Sequence, residues 1–226
     1  MAHMAVFVHL VQHAEVDNPN RLVCGSTSGL DLSPHGLEQA RRVGRYLGPR
    51  AVVAIWSSPH QQALRTAEEI AARSGVPVRV HHDLRDWSIT DRWKGHPWAS
   101  LNEVFPGELE AYLDHPTKVD FVDEHLFDVA ARVANVARRL DEDHPHGDVV
   151  MVSHQDAIQG GRLALTGSAL ETLHTDRPAD GAVITLRPGH VWVEETSWRP
   201  SDTPRFGERS QLRVVTSGAP EGPTSA

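Results

Sequence analysis

His13 and His154 are the side chains of this sequence best placed to do chemistry. Each stands just after a short apolar run. The first run, Ala5–Val11, ends in Gln12–His13–Ala14–Glu15, and the other, Val149–Val152, ends in Ser153–His154–Gln155. An imidazole can take or give a proton near neutral pH, so a pair of them beside a carboxylate is a general acid–base set. Either histidine alone would be unremarkable. Two of them, each between a buried strand and a loop or helix, point to one shared crevice.

The elements that must position them follow from periodicity. Ala5–Val11, Ala51–Trp56, Val76–Val80 and Val149–Val152 read as buried strands. Ser33–Pro34 opens a helix with a serine cap and a proline in the first turn, and Gly48–Pro49 stops it. Pro59–Ser74 and Asp156–Leu165 read as further helices. Leu126, Val129, Val133, Val136 and Leu140 give another helix an apolar stripe. Ala182–Leu186 and His190–Glu194 read as a hairpin around Pro188–Gly189. Strands alternating with helices predict an α/β fold, a three-layer α/β/α sandwich with a mostly parallel central sheet. Ligands of such sheets bind beyond the carboxyl ends of the strands. That rule selects the two histidine segments and Ser57–Ser58–Pro59.

Four segments follow along the chain. Residues 1–4 read as a cloning remnant ahead of a start at Met4. Residues 5–198 form the domain, with an insertion at about 84–116 that holds Trp87, Trp93, Trp98, Phe105 and Tyr112. Residues 199–226 are rich in Ser, Pro, Gly and Thr and are expected to be a mobile tail.

Composition narrows the function classes. The 226 residues include 22 basic and 30 acidic side chains, for a formal charge of −8. That balance argues against a broad nucleic-acid-binding face. No apolar run approaches the roughly 18 residues of a membrane span. The lone Cys24 has no internal partner, which favours a cytoplasmic setting, and it reads as a small buried side chain. A small-molecule substrate is the expected partner, and a homodimer stays open.

Several blocks together resemble the histidine phosphatase (phosphoglycerate mutase-like) superfamily, branch 1. Leu10–Val11–Gln12–His13–Ala14–Glu15 is similar to its Leu-Val-Arg-His-Gly/Ala-Glu signature. Ser57–Ser58–Pro59 with Ala63, Thr66 and Ala67 resembles its second block. Leu84–Arg85–Asp86 followed by Trp93–Lys94–Gly95 resembles the block that supplies a general acid, and Val152–Ser153–His154 the block with the second histidine. The likeness spans roughly residues 5 to 195. It implies a phosphoglycerate mutase-like fold, with His13 as nucleophile, His154 as its partner, Asp86 as the acid, and neither cofactor nor metal.

The resemblance breaks at the cations. Gln12 and Gln62 stand where the family has phosphate-binding arginines, Ser26 where an arginine is common, and Gln155 where glycine is usual. Phosphoryl transfer depends mainly on positioning and electrostatic stabilisation. Glutamine donates a hydrogen bond but no charge, and losing one charged donor costs about 3 kcal/mol of transition-state stabilisation. Fewer nearby cations should also make the histidines easier to protonate.

The expectation is a divergent, repurposed enzyme with weak or no phosphatase activity. It would use His13, His154, Asp86 and Glu15 for elimination, isomerisation or cyclisation of a small neutral or weakly anionic metabolite. Gln12, Ser26, Gln62, Gln155, Arg65 and Trp87 would contact the substrate, with Trp93 and Trp98 joining Trp87 in an apolar lid. The alternatives are a phosphomonoesterase acting through phosphohistidine at His13, with Arg65, Arg21, Arg85 or Arg92 refilling the pocket, and a non-catalytic binding protein. A metal site on His13, His154 and a carboxylate ranks below these. His35, His60 and the His81–His82 pair are expected at the surface.

Overall fold

The computed structural model describes residues 7–26 and 30–202. Six strands form one sheet: β1 (Val8–Gln12), β2 (Val52–Ser57), β3 (Val78–Val80), β4 (Asp148–Ser153), β5 (Val183–Arg187) and β6 (Val193–Trp198). Their order is β3-β2-β4-β1-β5-β6, with β1 to β4 parallel and β5 and β6 antiparallel. The helices are α1 (Pro34–Leu47), α2 (Gln61–Ser74), the short α3 (Ile89–Arg92), α4 (Leu101–Val104) and α5 (Glu108–Asp114), then α6 (Leu126–Asp143) and α7 (Gln155–Thr166). No helix among the described residues is long and apolar enough to cross a membrane.

Strand alternation splits the core in two. Val8, Leu10, Val149, Met151, Ile184 and Leu186 face α6, α7 and the insertion, in one buried cluster. Val11, Ile55, Val150, Val152 and Val183 face α1 and α2 in the other. Successive residues of β1 and β4 thus serve opposite faces, which is why these strands read as unbroken apolar runs rather than alternating ones. The fold is the three-layer α/β/α sandwich that the pattern predicts.

Several boundaries shift: α2 begins at Gln61 rather than Pro59 and β3 at Val78 rather than Val76, and two further changes have a packing cause. The return strand of the hairpin begins at Val193 rather than His190, because Trp192 turns into the core and its N–H donates to Leu165 O (3.1 Å). At the other end, Arg42 donates to Pro200 O (3.1 Å), so residues 199–202 pack on α1 instead of starting a free tail. Residues 1–6, 27–29 and the rest of the expected tail, 203–226, lie outside the described residues.

The start of α1 presses against the segment that follows β1. Ser33 Oγ accepts from the Gly36 N–H (2.9 Å) and donates to the Glu15 carboxylate. A Cβ on Gly36 would lie 1.9 Å from the Glu15 carbonyl oxygen. Backbone cannot yield by that much cheaply. Gly36→Ala is therefore expected to destabilise the fold by about 1–3 kcal/mol or more in urea unfolding, whereas an unchanged midpoint would mean that this approach is looser than the geometry implies.

Candidate active site

Backbone hydrogen bonds gather the site. The parallel ladders continue past the strand ends: His13 N–H donates to Ser153 O (3.0 Å), Ser58 N–H to Val152 O (2.9 Å) and His81 N–H to Ser57 O (2.9 Å). The residues after β1, β4 and β2 are thereby held side by side. His13 and His154 meet edge to face with ring centroids 5.3 Å apart.

The tautomers follow from the partners. His13 Nδ1 lies 2.8 Å from the Ala14 carbonyl, which can only accept. Nδ1 therefore carries the proton and Nε2 keeps a free lone pair. His154 Nε2 contacts Ser58 Oγ (2.8 Å), and its Nδ1 is buried without a partner. Burial lowers the pKa of His13 against the opposing pull of the Ala14 carbonyl and Asp180. It lowers His154 further, with His13, His60 and Arg132 adding to the effect. The expectation that missing cations would ease protonation is thus overridden by desolvation, and both rings are neutral bases at neutral pH.

Asp86 sits opposite in sign. Burial first, then the charge of Asp156, pushes its carboxyl up to about 7. Its loop is clamped from behind. Arg132 of α6 donates to the carbonyls of Asp83 (2.7 Å), Arg85 (2.8 Å) and Asp86 (2.9 Å), and Ser153 Oγ donates to Leu84 O (2.6 Å). Trp87 N–H donates to Asp86 Oδ1 (2.9 Å).

Gln12, His13, Gln62, Asp86, His154 and Gln155 all line one cavity of about 260 Å³, so the structure brings these six together. Four other expected residues fall elsewhere. Glu15 turns to Ser33 at the head of α1 and does not reach the cavity wall. Ser26 is exposed, with its N–H on Asp91 and its hydroxyl near Lys94. Arg65 is held outside by Asp31 (3.2 Å) and Glu68 (2.6 Å). Trp87 is fully buried, its indole N–H on Glu124 O (2.7 Å), and is an anchor for the acid loop rather than a lid. Trp93 is equally buried, and of the three tryptophans only Trp98 reaches the cavity.

None of the other candidate arginines refills the site. Arg85 pairs with Glu124 and Arg92 with Glu108, and neither these nor Arg21 lines the cavity. Cys24 is half-buried at the cavity wall rather than in the core, and burial and Asp86 hold its thiol protonated. His60, expected at the surface, is half-buried with its ring 4.7 Å from His154. Among the described residues, no three His, Cys, Asp or Glu side chains are grouped to hold a metal.

Sequence reasoning missed the loop before β5. Because β5 runs antiparallel beside β1, its entry lies at the carboxyl end of β1. Three side chains of α7 at helical spacing tie this loop down: Gln155 Nε2 donates to Pro178 O (2.8 Å), Gln159 Nε2 to Thr175 O (3.0 Å) and Arg162 to Asp176 O (3.2 Å). The loop delivers Arg177 and Asp180 to the cavity wall. Arg177 is matched at once, donating to Asp156 (2.9 Å) and to Tyr112 Oη (2.8 Å), while Tyr112 donates to Asp156 (2.8 Å). The one sequence signal for this loop was Asp180–Gly181 directly before an apolar run.

Known proteins share this fold. An uncharacterised protein of Mycobacterium tuberculosis is 31% identical over 195 residues, covering 79% of this chain and 87% of its own length. A putative phosphoserine phosphatase 2 of Hydrogenobacter thermophilus is 27% identical, over 74% of this chain and 81% of its own. The solved structure of a mycobacterial glucosyl-3-phosphoglycerate phosphatase with VO3 matches at a TM-score of 0.76 and 25% identity, over 86% of this chain and 99% of that one. The sequence model of the histidine phosphatase superfamily (branch 1) matches residues 8–198. With paired histidines and an acid at the strand ends of this fold, the chain belongs to the histidine phosphatase superfamily, branch 1.

Proposed function

We propose that this member uses the fold for proton transfer on a small metabolite and has weak or no phosphatase activity. One observation supports the reading above others. A neutral His13 with a free Nε2 lone pair shares a cavity with Asp86, whose carboxyl keeps its proton to about pH 7, and uncharged glutamines fill the two positions next to them. Environments that push two titratable groups in opposite senses mark a base and an acid. His13 Nε2 would take a proton from the substrate while Asp86 gives one to the atom that gains electron density. Elimination, isomerisation and cyclisation all fit that exchange. His154 supports the base from Ser58, and its free Nδ1 can hold the substrate.

A phosphoryl dianion would meet little positive charge. Among the described residues, Arg177 is the only arginine on the cavity wall, and Asp156 already neutralises it. Two observations favour a second reading, a phosphomonoesterase acting through phosphohistidine at His13. Relatives are named as phosphatases, and Arg177 Nε is a buried donor without a partner.

Two measurements test the proposal. In a ¹³C-carboxyl and imidazole NMR titration, Asp86 should be half-ionised near pH 7 and both histidines should titrate below the ordinary 6.5. A carboxyl that titrates near its usual value of 3.8 would remove the acid. In assays with p-nitrophenyl phosphate and a panel of phosphometabolites, the natural chain should release no phosphate that depends on His13. Gln12→Arg with Gln62→Arg should raise release by a factor on the order of 100 or more. Strong turnover by the natural chain, abolished by His13→Ala, would establish the phosphatase instead.

A further inference from the structure

We propose that the cavity takes an organic cation with N–H donors, a primary ammonium or a guanidinium group, held by Asp180 and the amide oxygen of Gln12. The proposal names a substrate class for the proton-transfer reading and rests on it.

Gln12 is only 3% exposed and lines the cavity. Its amide lies near Asp180, on the side that favours the carboxylate. An ionised carboxylate only accepts, so the amide NH₂ is turned to Asp180 and Oε1 to the other side. That oxygen has no partner, and neither does Oε1 of Gln62, which is 2% exposed on the same wall. Buried acceptors without donors are rare and costly, and they call for a group that brings hydrogens.

Charge points the same way. Among the described residues on the wall, Asp86 keeps its proton to about pH 7 and Arg177, the one guanidinium, is matched to Asp156, which leaves Asp180 as the unmatched carboxyl. His13 and His154 add no charge while neutral. Asp180 stands at the exposed side of the wall; desolvation and Glu15 raise its carboxyl above the ordinary carboxylate value, and the nearby Gln12 amide favours its anion. An anionic ligand would set its charge against Asp180 and the lone pairs of two amides. A cation would supply the hydrogens these acceptors lack. Arg177 Nε can take an acceptor elsewhere on the same molecule, so net-neutral zwitterions fit as well as simple amines. The volume of about 260 Å³ suits a small metabolite.

Ligand-observed NMR on the full chain, with n-butylammonium, N-methylguanidinium and n-butyl phosphate as probes, tests this. Both cations should bind and displace each other, and butyl phosphate should not bind. Asp180→Asn should weaken the cations by about tenfold or more, the loss of one charge-assisted hydrogen bond. Gln62→Arg, checked for folding by circular dichroism, should also reject them and serves if Asp180→Asn does not fold. Tighter binding of butyl phosphate, no cation binding at millimolar concentration, or equal cation affinity in Asp180→Asn would each overturn the proposal. Binding is read without turnover. Amine binding with no His13-dependent reaction would sink the acid–base reading and leave this one standing. Turnover of an uncharged substrate with no amine binding would do the reverse.

Discussion

The active-site geometry rests on a short continuation of the sheet. One hydrogen bond, from the His13 N–H to the Ser153 carbonyl, carries the β1–β4 ladder beyond the strands and fixes the two histidines side by side. Its neighbour from Ser58 to Val152 brings in the hydroxyl that holds His154. Because the backbone makes this contact, it survives any change of side chains around the rings. On the proposed reading, that placement holds while glutamines stand where the family has arginines.

Electrostatics decides what that machinery does. Removing arginines would by itself make the histidines more basic, yet burial works against this and prevails. The same burial acts on a carboxyl with the opposite sign, so desolvation alone produces a neutral base and a neutral acid in one cavity. Arg177 adds little net charge, since Asp156 matches its guanidinium and only Nε is left without a partner. The arginine that clamps the acid loop, Arg132, points its donors at backbone carbonyls and Glu124 rather than at the cavity.

Much of the fold was legible because it rests on periodicity. The stripe of Leu126, Val129, Val133, Val136 and Leu140 becomes the buried face of α6, and the apolar runs before the histidines become the two central strands. His13 and His154 were visible because strand ends can be read from local sequence. Asp86 came only from resemblance, since its placement depends on Arg132, 46 residues further along. Arg177, Asp180, Tyr112 and Asp156 were hidden for a related reason. They converge only once β5 lies antiparallel to β1 and α7 has pinned the intervening loop. Adjacency misled in two places. Glu15 is two residues from His13 but turns away to the head of α1, and Trp87 follows Asp86 but anchors the loop from inside the core. His60 shows the reverse error: a polar residue at a helix start packs on His154.

The most direct measurement is a crystal structure of the natural chain soaked with vanadate, the anion held by a mycobacterial relative. The space between His13 and His154 is expected to hold no vanadate, with Arg177 still on Asp156. Vanadate bonded to His13 Nε2, with Arg177 or another guanidinium turned onto its oxygens, would contradict this.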